Sequence, residues 1–319
     1  MMKKKNLDSN NTILIAGSSG FTGRKLVKNL SKTNNIVSLY HERLPDPMPN
    51  VFPVCNDLSS VDLLAAPLRG VSTAIYLAWD NEVIKEKEAF DSFNKDLFKE
   101  SKNLRQFRNF VEACEKSSIE KVIFISCLGA HRFSRHRFLQ EKYLAEHILL
   151  NSDIKHSCIV RSPFLYSTDG TDRLFSQLKS LVNTPVFIPK PRLRKPIHIC
   201  HVEELVSIIS SIATAKNFES VFIYEIEGEV VRNFSEILKI LKNNEVTKPK
   251  LMLSGEFGHC IFHILEKFFS RSNEKDISLG ELLNLPMNLD DYLKWEPGVY
   301  GFQKDISFRN MIDTIEQSA

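Results

Sequence analysis

Gly17, Gly20 and Gly23 stand three residues apart in the run Ile13-Leu-Ile-Ala-Gly17-Ser-Ser-Gly20-Phe-Thr-Gly23-Arg-Lys-Leu-Val27. A chain that must turn sharply, approach an anion closely and pack a helix tightly on a strand needs a residue without a Cβ at each of those points. The run begins apolar and β-branched and continues amphipathic, so the glycines join a buried strand to the start of a helix. There, free N–H groups and the positive dipole end attract phosphate. The spacing points to a site for a dinucleotide pyrophosphate made by Gly17, Ser19, Gly20, Phe21, Thr22 and Gly23, with Ser18, Ser19 and Thr22 as hydroxyl donors. The bland alternative is a tight strand-to-helix turn that binds nothing.

Further candidates follow at the ends of the next apolar runs. After Ile36 to Tyr40 the chain reads His41-Glu42-Arg43. His41 and Arg43 favour the extra phosphate of NADP and Glu42 the ribose hydroxyls of NAD, so the signal is divided; the reading adopted is NADP, with NAD as the alternative. Asp57, following Val54-Cys-Asn56, falls at the end of a third strand near the adenine, and Ala78-Trp79 after a fourth. For Trp79, simple packing is as good a reading as cofactor contact.

The elements that place these residues alternate. Short apolar runs at Ile13–Ile15, Ile36–Tyr40, Ala74–Leu77, Val122–Ile125 and Ser157–Val160 are separated by helical stretches at Arg24–Lys32, Phe90–Lys116 and Gln140–Leu150. That is the sequence form of repeated βαβ units, and predicts an α/β fold with a doubly wound parallel sheet. Beyond Arg161 the alternation breaks: a Pro-rich run spans Pro185 to Pro196, a helix starts near Val202, and a strand is expected at Val221–Ile226. The expected organisation is a nucleotide-binding domain over 11–230, with a substrate-side excursion at about 164–196, and a smaller, mainly helical lobe over 231–319.

Bulk properties exclude several classes. In 319 residues, 43% hydrophobic and 25% charged, the composition is that of an ordinary globular chain. A net charge of +3 is too small to argue for nucleic acid, and the basic stretch Lys190–Lys195 reads as a solvated loop. Six scattered cysteines without a C-x-x-C pair indicate a reducing compartment, and with no secretory signal the expected location is cytoplasmic. No stretch reaches the ~18 apolar residues of a membrane span. Phe257 to Phe269 reads as core at helical spacing. His198 and His201, without further ligands, do not make a metal site.

Taken together, Gly17, Gly20 and Gly23, Asn56-Asp57-Leu58, Ile75–Ala78, Glu120–Gly129, Ile159–Pro163 and Pro185–Val202 resemble the atypical short-chain dehydrogenase/reductases. The likeness is to the branch of NmrA-like NAD(P)-binding proteins and relatives of the Rossmann-type accessory subunit of respiratory complex I. It implies an NAD(P)-binding Rossmann fold and adds Leu58 to the adenine end. It also implies Ser126 as the serine that contacts a substrate oxygen, and Lys142 as the lysine of a Tyr-x-x-x-Lys pair that holds the nicotinamide ribose. Helical i, i+4 spacing puts that pair on one face. Here the tyrosine position is Phe138, which exchanges no proton, and Tyr143 faces about a hundred degrees away. Where the family has an acidic helix cap, this chain has His201. Two functions follow: an oxidoreductase or epimerase-like enzyme on a small carbonyl or alcohol, or a non-catalytic NADP(H)-binding sensor or assembly subunit with a protein partner.

Overall fold

The computed structural model describes residues 12–79, 101–132, 134, 137–167, 187–189, 196–216, 221–231, 236 and 251–253. The glycine-rich run does begin in a strand, β1 (Thr12–Ala16), and leads into α1 (Phe21–Leu30), which starts three residues earlier than the amphipathic pattern indicates because the glycine turn is tight. Then follow β2 (Asn35–Tyr40), β3 (Val51–Cys55), a 3-10 turn at Asp62–Leu64 and β4 (Thr73–Tyr76). Next come α2 (Lys102–Lys116), β5 (Lys121–Cys127), α3 (Arg137–Leu150) and β6 (His156–Ser162). The hydroxyl oxygen of Ser101 accepts from the Leu104 N–H and starts α2 there; the earlier part of the expected helical stretch, residues 90–100, lies outside the described residues.

These strands and β10 (Val221–Glu225) form one sheet in the order β10-β6-β5-β4-β1-β2-β3, parallel at every pairing. The order reverses between β1 and β4, the point at which doubly wound sheets bind ligands at their carboxyl ends. Alternation along each strand feeds two cores. Ile13, Ile15, Ile75 and Ile123 pack with α1 and with α4 (Val202–Thr214), whereas Leu14, Ala74, Tyr76 and Phe124 pack with α2 and α3. Strands buried on both faces read as continuous apolar runs, which is why they were legible. The edge strands are exceptions: among the described residues β3 pairs only with β2, and it tolerates Pro53, which has no N–H to give to a further strand.

Two small sheets lie outside this frame. β7 (Phe164–Tyr166) and β11 (Glu229–Val231) flank β9 (Ile197–His201), and β8 (Phe187–Pro189) pairs in parallel with β12 (Leu251–Leu253). Lys190–Lys195 and Phe257–Phe269 lie outside the described residues. Among the described residues no helix is long and apolar enough to cross a membrane.

Candidate functional site

The three glycines have separable reasons. Gly17 has φ +82°, and a Cβ there would lie 2.6 Å from the Ala78 nitrogen at the end of the neighbouring strand. At Gly23 a Cβ would run into the Gly17 carbonyl and come within 2.8 Å of Ser18 Cα. Gly20 is exposed, and a Cβ would meet only the Gly17 oxygen at 3.3 Å. The protein's own packing therefore dictates Gly17 and Gly23, while Gly20 leaves room for something approaching from outside.

The Gly20 N–H donates to the Gly17 carbonyl (3.1 Å) and the Arg24 N–H makes the first helical bond to the Gly20 carbonyl (3.0 Å). The N–H groups of Phe21, Thr22 and Gly23 then have no intrahelical acceptor, and no side chain caps the helix at Gly20. Ser18 corrects the expectation of a ligand donor. It is fully buried, and its N–H (3.3 Å) and hydroxyl (2.7 Å) both donate to the Leu39 carbonyl, tying the turn to β2. Ser19 and Thr22 stay partly exposed.

The ends of β2 and β3 adjoin this turn. His41, Glu42 and Arg43 are all exposed directly after β2, and the Asn56 N–H donates to the Tyr40 carbonyl (2.8 Å). Leu58, with φ +59°, is in the left-handed region that a branched side chain disfavours. It is held there because Asn56 Oδ1 accepts from its N–H (2.8 Å) and Asn109 Nδ2 donates to its carbonyl (3.1 Å) and to that of Ser59 (2.9 Å). Gln106 Nε2 donates to the Asp57 carbonyl. Hydrogen bonds from Ser59, with His41 nearby, hold the Asp57 carboxyl below its ordinary range. Sequence reasoning missed the α2 clamps Gln106 and Asn109, which look like any solvent-facing polar residues of an amphipathic helix.

At the other side of the switch point lie Trp79, Ser126 and Lys142. Lys142 is not a surface lysine: it is 6% exposed, and its ammonium donates to the Ile125 carbonyl at 2.9 Å. The nitrogen lies 4.0 Å from the Trp79 ring centroid, 4.9 Å from that of Phe124 and 5.8 Å from that of Phe138. The rings favour the cation, but burial pulls its pKa down to about 8. Phe138 and Lys142 thus share one helical face, and Tyr143 packs on His147 instead, with ring centroids 4.4 Å apart. Ser126, the next residue after the carbonyl that holds the lysine, is fully buried, and its hydroxyl does not cap backbone: Ser126 Oγ and Trp79 Nε1 have no hydrogen-bond partner among the described residues. Burial pushes the Cys127 thiol up, which makes it a poor nucleophile.

α3 is held in place by a buried ion triad. Arg161 on β6 donates through Nε (2.9 Å) and a second nitrogen (2.6 Å) to the Glu146 carboxylate, and to Glu225 on β10 (2.7 Å). The arginine that suggested the family likeness is therefore a positioning residue. His198 Nδ1 contacts the Glu227 carbonyl at 2.8 Å, and His201 caps α4 by accepting from the Glu203 N–H (3.3 Å).

The turn, the β2 and β3 ends, Ala78, Trp79, Ser126 and Lys142 therefore line the carboxyl edge of one sheet. Over residues 17–185, more than half of the chain, the sequence matches the family described as NAD(P)H-binding. The chain belongs to this NAD(P)H-binding family. No curated protein matches it in sequence. Among solved structures it is similar to MoeE5 in complex with UDP-glucose and NAD, at 20% identity and a TM-score of 0.60, over 78% of this chain and 87% of that one. It is similar to a UDP-N-acetylglucosamine 4-epimerase from Methanobrevibacter ruminantium at 14% identity and TM-score 0.59, over the same shares of each chain. It is also similar to TunA, an NAD-dependent NDP-hexosamine 5,6-dehydratase, at 15% identity and TM-score 0.56, over 87% of this chain and 96% of that one. The Rossmann fold and the NAD(P)-binding family that the resemblance implied are thus borne out.

The residues fit the cofactor that the family implies. An exposed glycine in the turn, three N–H donors at the helix start without an intrahelical acceptor, and the Ser126 and Trp79 polar atoms, buried without a hydrogen-bond partner among the described residues, are the features such a group would satisfy.

Proposed function

We propose that this NAD(P)H-binding protein is an NADP(H)-dependent oxidoreductase or epimerase-like enzyme acting on a small carbonyl or alcohol. The observation that carries the reading is Ser126 Oγ: fully buried, without a hydrogen-bond partner among the described residues, and one residue from the carbonyl that fixes Lys142. A buried hydroxyl left unbonded costs stability, and a substrate oxygen would remove that cost. In this assignment Gly17, Ser19, Gly20, Phe21, Thr22 and Gly23 hold the pyrophosphate, and Asp57, Leu58 and Ala78 border the adenosine. His41 and Arg43 face its phosphate, and Trp79 and Lys142 flank the nicotinamide ribose. Bound there, the dinucleotide supplies hydride transfer. Ser126 orients the substrate oxygen, and the rings of Trp79, Phe124 and Phe138 keep water from it.

The nucleotide-binding domain is assigned to 11–230 and the substrate side to the excursion at 164–196 together with the lobe over 231–319. The pairing of β8 with β12 supports this, since it joins the excursion to the C-terminal region. The solved neighbours carry nucleotide sugars in their descriptions, so UDP-hexoses belong in the first substrate panel beside simple aldehydes and ketones.

Turnover is tested by following NADPH consumption across that panel. Ser126→Ala is expected to lower kcat about a hundred-fold while leaving the NADPH Kd unchanged. One observation favours the second reading, a sensor or assembly subunit: Phe138 puts a ring without a hydroxyl on the face of Lys142. Tight NADPH binding with no turnover of any substrate, and a partner retained only in the NADPH-bound state, would decide for it.

A further inference from the structure

Trp79 is assigned so far only through its ring, yet its indole nitrogen, like Ser126 Oγ, has no hydrogen-bond partner among the described residues. The residue is half-buried, and Nε1 lies on its buried edge. A buried indole N–H ordinarily finds an acceptor, so one that meets none in the protein is set to meet one on a ligand.

Contacts on the ring fix its direction. The Lys142 nitrogen lies over its face, 4.0 Å from the centroid, and the Phe124 ring packs against it at 5.9 Å and an angle of 46°. An N–H lies in the plane of its indole, so the cation over the face takes nothing from it. Ser126 adjoins the same ammonium, because Lys142 donates to the Ile125 carbonyl (2.9 Å), the peptide that joins Ile125 to Ser126. Side chains alternate along β5, so Ser126 emerges on the face of Phe124 and not on that of Ile123 and Ile125. Phe124 also lies 4.9 Å from the lysine nitrogen. Indole, ammonium and hydroxyl therefore gather around one phenyl ring.

Their chemistry is one-sided. An indole N–H and an ammonium only donate, and a hydroxyl can donate. Burial lowers the lysine pKa only to about 8, so it keeps its proton at neutral pH. A group that enters beside them has to bring an acceptor with lone pairs enough for two donors, which a carbonyl oxygen does and an ammonium cannot.

We propose that Trp79 is a further substrate-binding residue, whose indole N–H donates, together with the Ser126 hydroxyl, to one carbonyl oxygen of the substrate. The inference rests on the enzyme reading above and narrows it to substrates that present an acceptor oxygen at this point. Trp79→Phe leaves a ring to cover Lys142 and takes away the donor.

The test uses the full chain loaded with NADPH, and isobutyramide as the probe, a carbonyl compound that accepts hydrogen bonds but takes no hydride. The chain has two tryptophans, Trp79 and Trp295, so labelling the indole nitrogens for NMR gives two N–H resonances, and Trp79→Phe identifies them. Expected is a downfield move of the Trp79 proton when isobutyramide joins the NADPH complex, and none with isobutylamine. By calorimetry, Trp79→Phe and Ser126→Ala should each weaken isobutyramide about ten-fold, with NADPH affinity kept within about three-fold. A Trp79 resonance that NADPH alone moves and isobutyramide then leaves in place gives the donor to the cofactor; it overturns the inference and leaves the enzyme reading intact. An unmoved resonance, or a Trp79→Phe variant that binds isobutyramide as the wild type does, has the same meaning in a protein that turns over a substrate of the panel. An unmoved resonance without any turnover overturns both.

Discussion

Gly20 and Gly23 are the same residue for different reasons, and alanine separates them. Gly23→Ala forces a methyl into the Gly17 carbonyl, so a loss of about 1–3 kcal/mol is expected in urea unfolding. Gly20→Ala should change stability by less than about 1 kcal/mol, since its Cβ has only one tight neighbour, yet weaken dinucleotide binding. Lys142 supplies a pH dependence. Its folded pKa is about 8 against 10.5 for a free lysine, so folding releases a proton between those values and stability rises with pH across that window. A Lys142→Met variant lacks this dependence. Its advantage over the wild type should be full below pH 8 and shrink toward 10.5, as read from melts over that range. An unchanging difference would mean that the rings and the Ile125 carbonyl compensate the buried charge.

The elements are held in register by polar residues that come from far along the chain. Asn109 on α2 fixes the left-handed Leu58 through two carbonyls, and Asn109→Ala should cost about 1–3 kcal/mol and loosen the adenine end of the site. Comparing urea midpoints with NADPH affinities checks both effects. Glu146→Ala strands Arg161 in the interior with half its partners, and a loss of about 3–5 kcal/mol is expected in urea unfolding. Because α3 carries both Glu146 and Lys142, nucleotide affinity should fall with it. Lys121 shows a third such device: its ammonium donates to the Ile212 (2.9 Å) and Ala215 (2.7 Å) carbonyls at the end of α4. None of these was legible in sequence. Hydrophobic periodicity locates α2 and α3, but a buried lysine and an exposed one leave the same mark in an i, i+4 pattern. A clamp between residues 58 and 109 leaves none at all.

Across the whole molecule the legible part was the βαβ frame, because strands buried on both faces must be apolar throughout and a glycine turn has few uses. In the edge strand β3, partly exposed and with Pro53 interrupting its β-branched pattern, only the end at Val54 and Cys55 was legible. Ser18 was misread because spacing alone does not distinguish a hydroxyl aimed at a ligand from one aimed at a neighbouring strand. The proposed assignment nevertheless makes one central demand: the open turn at Gly20 must receive the pyrophosphate. Titrating the wild type and Gly20→Asp with NADPH and NADH tests that demand directly, since a carboxylate there would repel the pyrophosphate. Binding by the wild type that the folded variant loses is the expected result. Failure of well-folded wild-type protein to bind either nucleotide would contradict it.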